Sequence, residues 1–488
     1  MSRLMGRPKP ELDNDEKLGS INENVYSQSM EPGEQIPRVE ATEDPDDPIE
    51  RRYLIRRPKA HQWFEDDILM KASDRERVAG KFELFYDLLY VALIANFAEK
   101  LAEEPSGTNL VLFIITFTTA WHVWADEKEH ANNYYNDDLV QRLNILWIMA
   151  LLILFGNNAN YVTEDIAYLR ITVATYQIIR FTQACMFLYN SFGDFRHRPQ
   201  NRAYVASEMV VLLIWIPMYF EEVSNGAKVA VAFVAILFEE FGWIFTFGPW
   251  IGKWFGLKHR TALDIAHEND RFTAFTIIVL GEFTYAILVG SPARGGLNFN
   301  YLRAVLTLII AFCFNSMYVY GDGAIRSVHP ARRHVATATL WLMIHLPISA
   351  GLLIAGHVAS GTMLEEMNEG RRWLFGGGMA VGFFTLWIMS HLFKDVDPPC
   401  KLFMRKFLRI SPRLVSAIIL ALIPLTSSEQ VNDTAFLGTA TGLSVFTVIW
   451  ETVGGLEKGA CFFESWKDEE ELQNGMGAPR EREERDAF

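Results

Sequence analysis

About twelve apolar runs of helix-spanning length alternate with short polar connections along this chain of 488 residues. That alternation leaves few places where the chain can fold. Roughly 20 apolar residues cross the hydrocarbon core of a bilayer as an α-helix, in which the segment satisfies its own backbone hydrogen bonds. The runs lie near 82–101, 109–125, 140–157, 167–189, 204–220, 227–250, 272–290, 301–320, 335–355, 373–393, 413–425 and 434–450. The expected fold is an all-α integral membrane protein of about 12 transmembrane helices. The eleventh run is short for a complete crossing.

Half the residues are apolar, and the polar ones gather at the ends. Residues 1–80 carry 18 acids against 13 bases, and residues 458–488 carry 9 against 5. Both are expected to be disordered, solvated tails, because neither can bury enough apolar area to order itself. A near-neutral core has no electrostatic footprint for nucleic acid. Four scattered cysteines give no disulfide framework or zinc spacing, and no cofactor is implied.

Lys and Arg set the orientation. With a cytoplasmic N-terminus, the inward connections hold 18 of these residues and the outward ones 7. The positive-inside rule then places both termini in the cytoplasm. It also favours an even number of spans.

The two halves echo each other. Leu146-Trp147-Ile148-Met149 matches Leu340-Trp341-Leu342-Met343, and Trp124-Ala125-Asp126 matches Tyr320-Gly321-Asp322. Lys81-x-x-x-Phe85 matches Arg271-x-x-x-Phe275, and Ile216-Pro217 matches Ile423-Pro424. These echoes define two parallel six-helix repeats, residues 81–260 and 261–457, with any pathway expected at their interface. The paired prolines predict an interrupted fifth helix in each repeat. Gly376-Gly377-Gly378 and Gly438-x-x-x-Gly442 suit close helix packing, as does Gly281.

An ionisable group at mid-bilayer costs ~2.5–3.5 kcal/mol on insertion scales, so each one inside a span needs a reason. Glu239, Glu240 and Glu282 fall near the midplane, as does Arg180, while Glu83 and Asp87 share one face of the first span. Arg271 and Glu282 lie on one stripe of the seventh span with Phe275, Ile278, Tyr285 and Val289. Arg180 is expected to pair with Glu239, Glu240 or Glu282. The remaining carboxylates form an excess suited to a proton or cation pathway. His130 and His267-Glu268 read as solvated surface.

No phosphate-binding, zinc-protease or nucleophile-elbow motif occurs, so the expectation is not an enzyme. Phe82-Glu83-Leu84-Phe85-Tyr86-Asp87-Leu88, with His267-x-x-Asp270-Arg271-Phe272 and Ile277-Ile278-Val279-Leu280-Gly281-Glu282, resembles the low-temperature-requirement A (LtrA) membrane proteins. The likeness covers roughly residues 75–455, with Asp270 standing where Glu is commoner. It implies a multi-pass membrane protein linked to growth in the cold. Lys81-x-x-x-Phe85-Tyr86-Asp87 is also similar to the R-x-x-x-F-S-D signature of the endolysosomal potassium channel family. Here Lys81 replaces the Arg, Tyr86 the Ser, and Ile277 the second repeat's Asp. That likeness implies comparable architecture and not potassium selectivity.

The leading expectation is a transporter or ion-permeation protein whose pathway uses Glu83, Asp87, Arg180, Glu239, Glu240, Arg271 and Glu282. Its partners are the lipid bilayer and a small ion or solute, and homo-oligomerisation is left open. The alternative is a non-transporting protein that supports cold growth through scaffolding or lipid adaptation. The topology is checked by protease protection in intact cells. Tags at both ends should survive external protease, while a tag near residue 295 should be cut. Unequal exposure of the two ends would mean an odd number of spans.

Overall fold

The computed structural model describes residues 53–66, 68–72, 80–321, 324, 326–398 and 401–459. Most of the acidic tails, with Asp322, Cys400 and Cys461, lies outside the described residues. The first eight helices are α1 Lys81–Glu103, α2 Gly107–Tyr134, α3 Leu139–Ala159, α4 Ile166–Gly193, α5 Arg198–Ile214, α6 Asn225–Phe247, the short α7 Pro249–Phe255 and α8 Ile265–Tyr285. There follow α9 Phe299–Val319, α10 Val335–Met343, α11 His345–Gly361, α12 Glu369–Leu392, α13 Lys406–Leu422 and α14 Asp433–Gly454. Side-chain caps fix many of the starts. Ser106, Asp138, Ser224, Asn298, Asn368 and Asn432 each accept a backbone N–H from the first turn of the helix they precede.

Among the described residues, nine helical segments are long and apolar enough to cross a membrane. α1, α4 and α8 match them in length but are more polar, carrying Asp87, Arg180 and Arg271 among others. The exterior is that of a protein in lipid. Phe241, Phe312 and Leu146 are more than 60% exposed on helix faces, whereas Asp87, Glu268 and Arg409 are fully buried. This is an all-α, multi-pass membrane fold.

Proline explains where helices stop. Pro347 lacks an N–H, and its ring opposes the carbonyl four residues back, so the helix breaks between α10 and α11 at Ile344. Pro217 and Pro424 instead lie in short 3₁₀ turns, Ile216–Tyr219 and Ile423–Leu425, that close α5 and α13. They terminate helices where the sequence suggested interruption. The eleventh run is longer than its apolar stretch. α13 begins at Lys406, because Arg409 and Arg413 are buried in ion pairs and belong to the helix.

Part of the segment assigned to an unstructured tail is ordered. Strands β1 Gln62–Glu65 and β2 Ile68–Lys71 form an antiparallel hairpin. Its first strand also pairs with β3 His259–Thr261 ahead of α8. His61 and Ala60 tie the hairpin to the bundle. The His61 N–H donates to the Asn133 carbonyl at 3.0 Å, and the Ala60 N–H to Asp194 Oδ2 at 3.2 Å. Burial works to raise the Asp194 pKa, but the His197 ring and two backbone amides outweigh it and hold it at about 2. The anchor therefore stays ionised at neutral pH. Composition hides this hairpin because its order comes from pairing with a strand some 200 residues away.

α1 packs on α2, α3, α8 and α11. α3 to α6 follow one another as neighbours, α11 to α14 do the same, and α14 returns to α9 as α6 returns to α2. Glycines set the closest approaches in the second half. A Cβ on Gly378 would lie 2.5 Å from the Gly351 carbonyl oxygen of α11, and one on Gly376 2.7 Å from the Leu420 carbonyl oxygen of α13. Gly377 between them faces open space, and so do Gly281, Gly438 and Gly442. The close packing expected at those last three is therefore not made within the chain. Gly378→Leu should greatly reduce folded protein recovered in mild detergent, because α11 and α12 cannot separate without opening the core. Gly377→Leu should leave recovery near wild type, as judged by size-exclusion profile and thermal melting.

Candidate functional site

α2 carries most of the chemistry. Sequence reading ends its span at residue 125, but the helix continues to Tyr134, and Asp126-Glu127-Lys128-Glu129-His130 is buried throughout. A run of five ionisable residues reads as a solvated turn. Here it is enclosed by α4, α8 and the residues around the hairpin, and it organises two polar clusters.

The first cluster joins α1 to α8. Arg271 Nη1 and Nη2 donate to both carboxylate oxygens of Asp87, at 2.6 and 2.7 Å, and Trp124 Nε1 donates to Asp87 Oδ1 at 2.8 Å. Glu83 lies 3.6 Å from Arg271 Nε and bonds His267 Nε2 at 2.8 Å. The Asp264 N–H donates to Asn132 Oδ1, which leaves the Asn132 amide nitrogen facing His267 Nδ1 at 3.3 Å. Lys128 pairs with Glu268, and its ammonium sits 4.3 Å from the centre of the Phe272 ring. Each acid in this seam has a basic partner. His267 and Glu268 are fully buried, contrary to the solvated reading.

The second cluster lies among α2, α4, α5 and α6. Arg180 pairs with Asp126 and, at 2.9 Å, with Glu208. Neither is a partner the sequence nominated, and Glu208 was not singled out at all. Tyr204 donates to Asp126. Glu127 accepts from the amides of Asn144, at 3.3 Å, and Gln183, at 3.4 Å. Glu239 and Glu240 hold the two sides of one imidazole: His122 Nδ1 bonds Glu239, and Nε2 bonds Glu240 Oε1 at 3.0 Å. Tyr176 also donates to Glu239, at 2.6 Å. The excess of carboxylate is concentrated here, with Asp126, Glu127, Glu208, Glu239 and Glu240 grouped around Arg180 and His122. A polar cavity of about 20 Å³ bordered by Glu83, Arg271 and Glu127 adjoins both clusters.

An open vestibule of about 750 Å³ leads to this second cluster. Its mouth lies among Gly107, Glu164, Asp165 and Glu221, at the bundle end opposite the hairpin, and its walls are α2, α4 and α6. Tyr176 and Trp215 line its inner part. Both reach Glu239, Tyr176 at 2.6 Å and Trp215 Nε1 at 3.4 Å.

The seventh-span stripe divides. Arg271 and Phe275 pack in the seam, Phe275 at 4.6 Å from the Trp124 ring. Glu282 meets His357 of α11 at 3.0 Å, and Tyr285 and Val289 face outward. The second half has its own buried pairs. Arg413 bridges to both oxygens of Glu451, at 2.6 and 2.7 Å, and to Ser390. Arg372 pairs with Asp433 at 3.2 Å. Among the described residues, no group of three or more His, Cys, Asp or Glu is placed to hold a metal ion.

The Arg180 geometry sets a double-mutant test. Arg180→Leu strands Asp126 and Glu208 and should lower stability by about 3–5 kcal/mol. Adding Glu208→Leu should recover part of that loss in detergent melting. Adding Glu282→Leu should recover none.

No curated protein and no solved structure matches the chain. The sequence profile of the bacterial low temperature requirement A protein (LtrA) matches residues 78–449, taking in both clusters and every helix from α1 to most of α14. The chain belongs to the LtrA family of multi-pass membrane proteins.

Proposed function

We propose that this protein moves protons, or a small ion or solute coupled to protons, along a route inside the first of two six-helix repeats. In this reading twelve helices span the membrane, both termini are cytoplasmic, and the vestibule opens on the outer face. No covalent step is involved, and the protein is not an enzyme. The repeat reading is supported by the neighbour pattern: α1 on α2 and α3 matches α8 on α9 and α11, and α6 on α2 matches α14 on α9. The proline-bearing 3₁₀ turns after α5 and α13 occupy equivalent places.

The observation that carries the function is the Glu239–His122–Glu240 relay beneath the vestibule. Each ring nitrogen faces a carboxylate, so a hydrogen must lie on each line. An imidazolium between two carboxylates meets that need, and so does a neutral ring beside one protonated carboxyl. The two forms hold the same number of protons and differ only in where one of them sits. Such a site accepts a proton on one side and releases it on the other. Tyr176 and Trp215 line the approach from the vestibule, and Glu240, about 30% exposed, gives the relay a second side.

The ion-paired arginines serve differently. Arg180 is held by two acids in the same cluster and separates the relay from the hairpin end. Arg271 is clamped by the carboxylates of Asp87 and Glu83, and Arg413 by Glu451 and backbone carbonyls, which suits helix clasps. Among the candidate acids, these surroundings favour Glu239 over Glu282.

The test is proton flux in proteoliposomes driven by a potassium diffusion potential. Wild type should acidify or alkalinise the lumen with the imposed potential. Glu239→Gln keeps size and hydrogen bonding but cannot titrate, so flux should fall at least about ten-fold with melting nearly unchanged. Glu282→Gln should retain most of the flux. A wild-type protein that moves neither protons nor monovalent cations would overturn the proposal and favour a scaffolding role.

A further inference from the structure

The end of the bundle that carries the hairpin holds a second large cavity, of about 830 Å³, unconnected with the proposed relay. Gln62 and Phe64 of β1 and Arg260 of β3 line one side. Trp243 and Phe247 from the end of α6 line another, and Val335, Ala338 and Leu342 from the start of α10 line a third. The cavity thus sits between the last long helix of the first half and a helix of the second. Its depth in the membrane is marked by α7, which starts at its edge with Pro249. Trp254 and Phe255 of that short helix are 77% and 65% exposed, as expected of aromatic side chains at headgroup level.

The charge of the cavity is one-sided. Lys71, Arg260, Arg332 and Arg333 line it, and Lys71, Arg332 and Arg333 are exposed at its rim. Two acids also line it. Asp264 caps α8 by accepting from the Ala266 N–H at 3.1 Å. Glu129 is buried at the inner end, where Asn133 donates to its Oε1 at 2.6 Å and Oε2 has no hydrogen-bond partner. Cations at the rim and an apolar wall form an amphiphilic gradient.

We infer that this cavity binds an anionic glycerophospholipid from the leaflet on the hairpin side. The phosphate sits at the rim among Lys71, Arg260 and Arg332. The acyl chains leave along Val335, Ala338 and the exposed Leu340 of α10. Basic pockets between helices at the membrane boundary select anionic headgroups in this way, through charge attraction that strongly hydrated zwitterionic heads do not share. A bound lipid would bridge the two halves where β1 and β3 meet α6 and α10, and would tie the membrane's composition to their packing.

The test uses the full chain purified in mild detergent, with native mass spectrometry of retained lipid and thermal melting. Phosphatidylglycerol should be retained and should raise the melting temperature, and phosphatidylcholine should do neither. Lys71→Gln combined with Arg332→Gln should weaken phosphatidylglycerol retention roughly ten- to thirty-fold, with unchanged melting in the absence of added lipid. Ala338→Trp should also displace the lipid, by filling the apolar wall without changing charge. Equal retention of the two lipids, or wild-type retention by the double variant, would overturn the inference. Glycerol phosphate competing as well as the whole lipid would overturn it too, because the apolar wall would then contribute nothing.

Discussion

A charge taken into a low-dielectric interior is tolerated only with a partner, and the architecture of this protein follows from that constraint. Asp87 of α1 and Arg271 of α8 are both fully buried, and each would be prohibitive alone. Their two-pronged bond, completed by Trp124 of α2, joins three helices at one point. Around it pack Phe272, Phe275 and Trp121, whose rings stand 5–6 Å apart between α2 and α8. The aromatic seam excludes water, and the excluded water makes the pairing compulsory.

The same rule treats the two polar clusters unequally. In the α1–α8 seam, each carboxylate lies against a basic side chain, with Arg271 shared by Glu83 and Asp87 and Lys128 held by Glu268. Among α2, α4, α5 and α6, carboxylates outnumber cations, and His122 is shared by two of them. A proton shared between two carboxylates, one buried and one partly exposed, is a site for motion and a poor clasp. The large vestibule ends at the cluster with the excess, and none of its lining residues belongs to the matched seam.

Membership of the LtrA family brings a multi-pass membrane architecture, and within it the surroundings of each buried acid set its chemistry. Glu239 adjoins a solvent-sized space through Tyr176 and Trp215, while Glu282 meets a single histidine away from both large cavities. The two acids look alike in sequence, each deep in an apolar helix.

The all-α, multi-pass character, the apolar exterior and the conclusion that buried charges must be paired were all legible in the sequence. They follow from local length and hydropathy, and a bilayer imposes them on any chain of this pattern. The shared face of Glu83 and Asp87 was legible as well, because helical spacing is local. The partners of those charges were decided by tertiary structure alone. Arg180 chose Asp126 and Glu208 over the acids at its own nominal depth, since helix packing, and not depth, determines which side chains meet. The burial of Asp126 to His130, of His267 and of Arg413 escaped sequence reading for a related reason. A charged run at the end of an apolar stretch looks like a solvated loop until a neighbouring helix or a distant hairpin covers it, and only long-range contacts supply that cover.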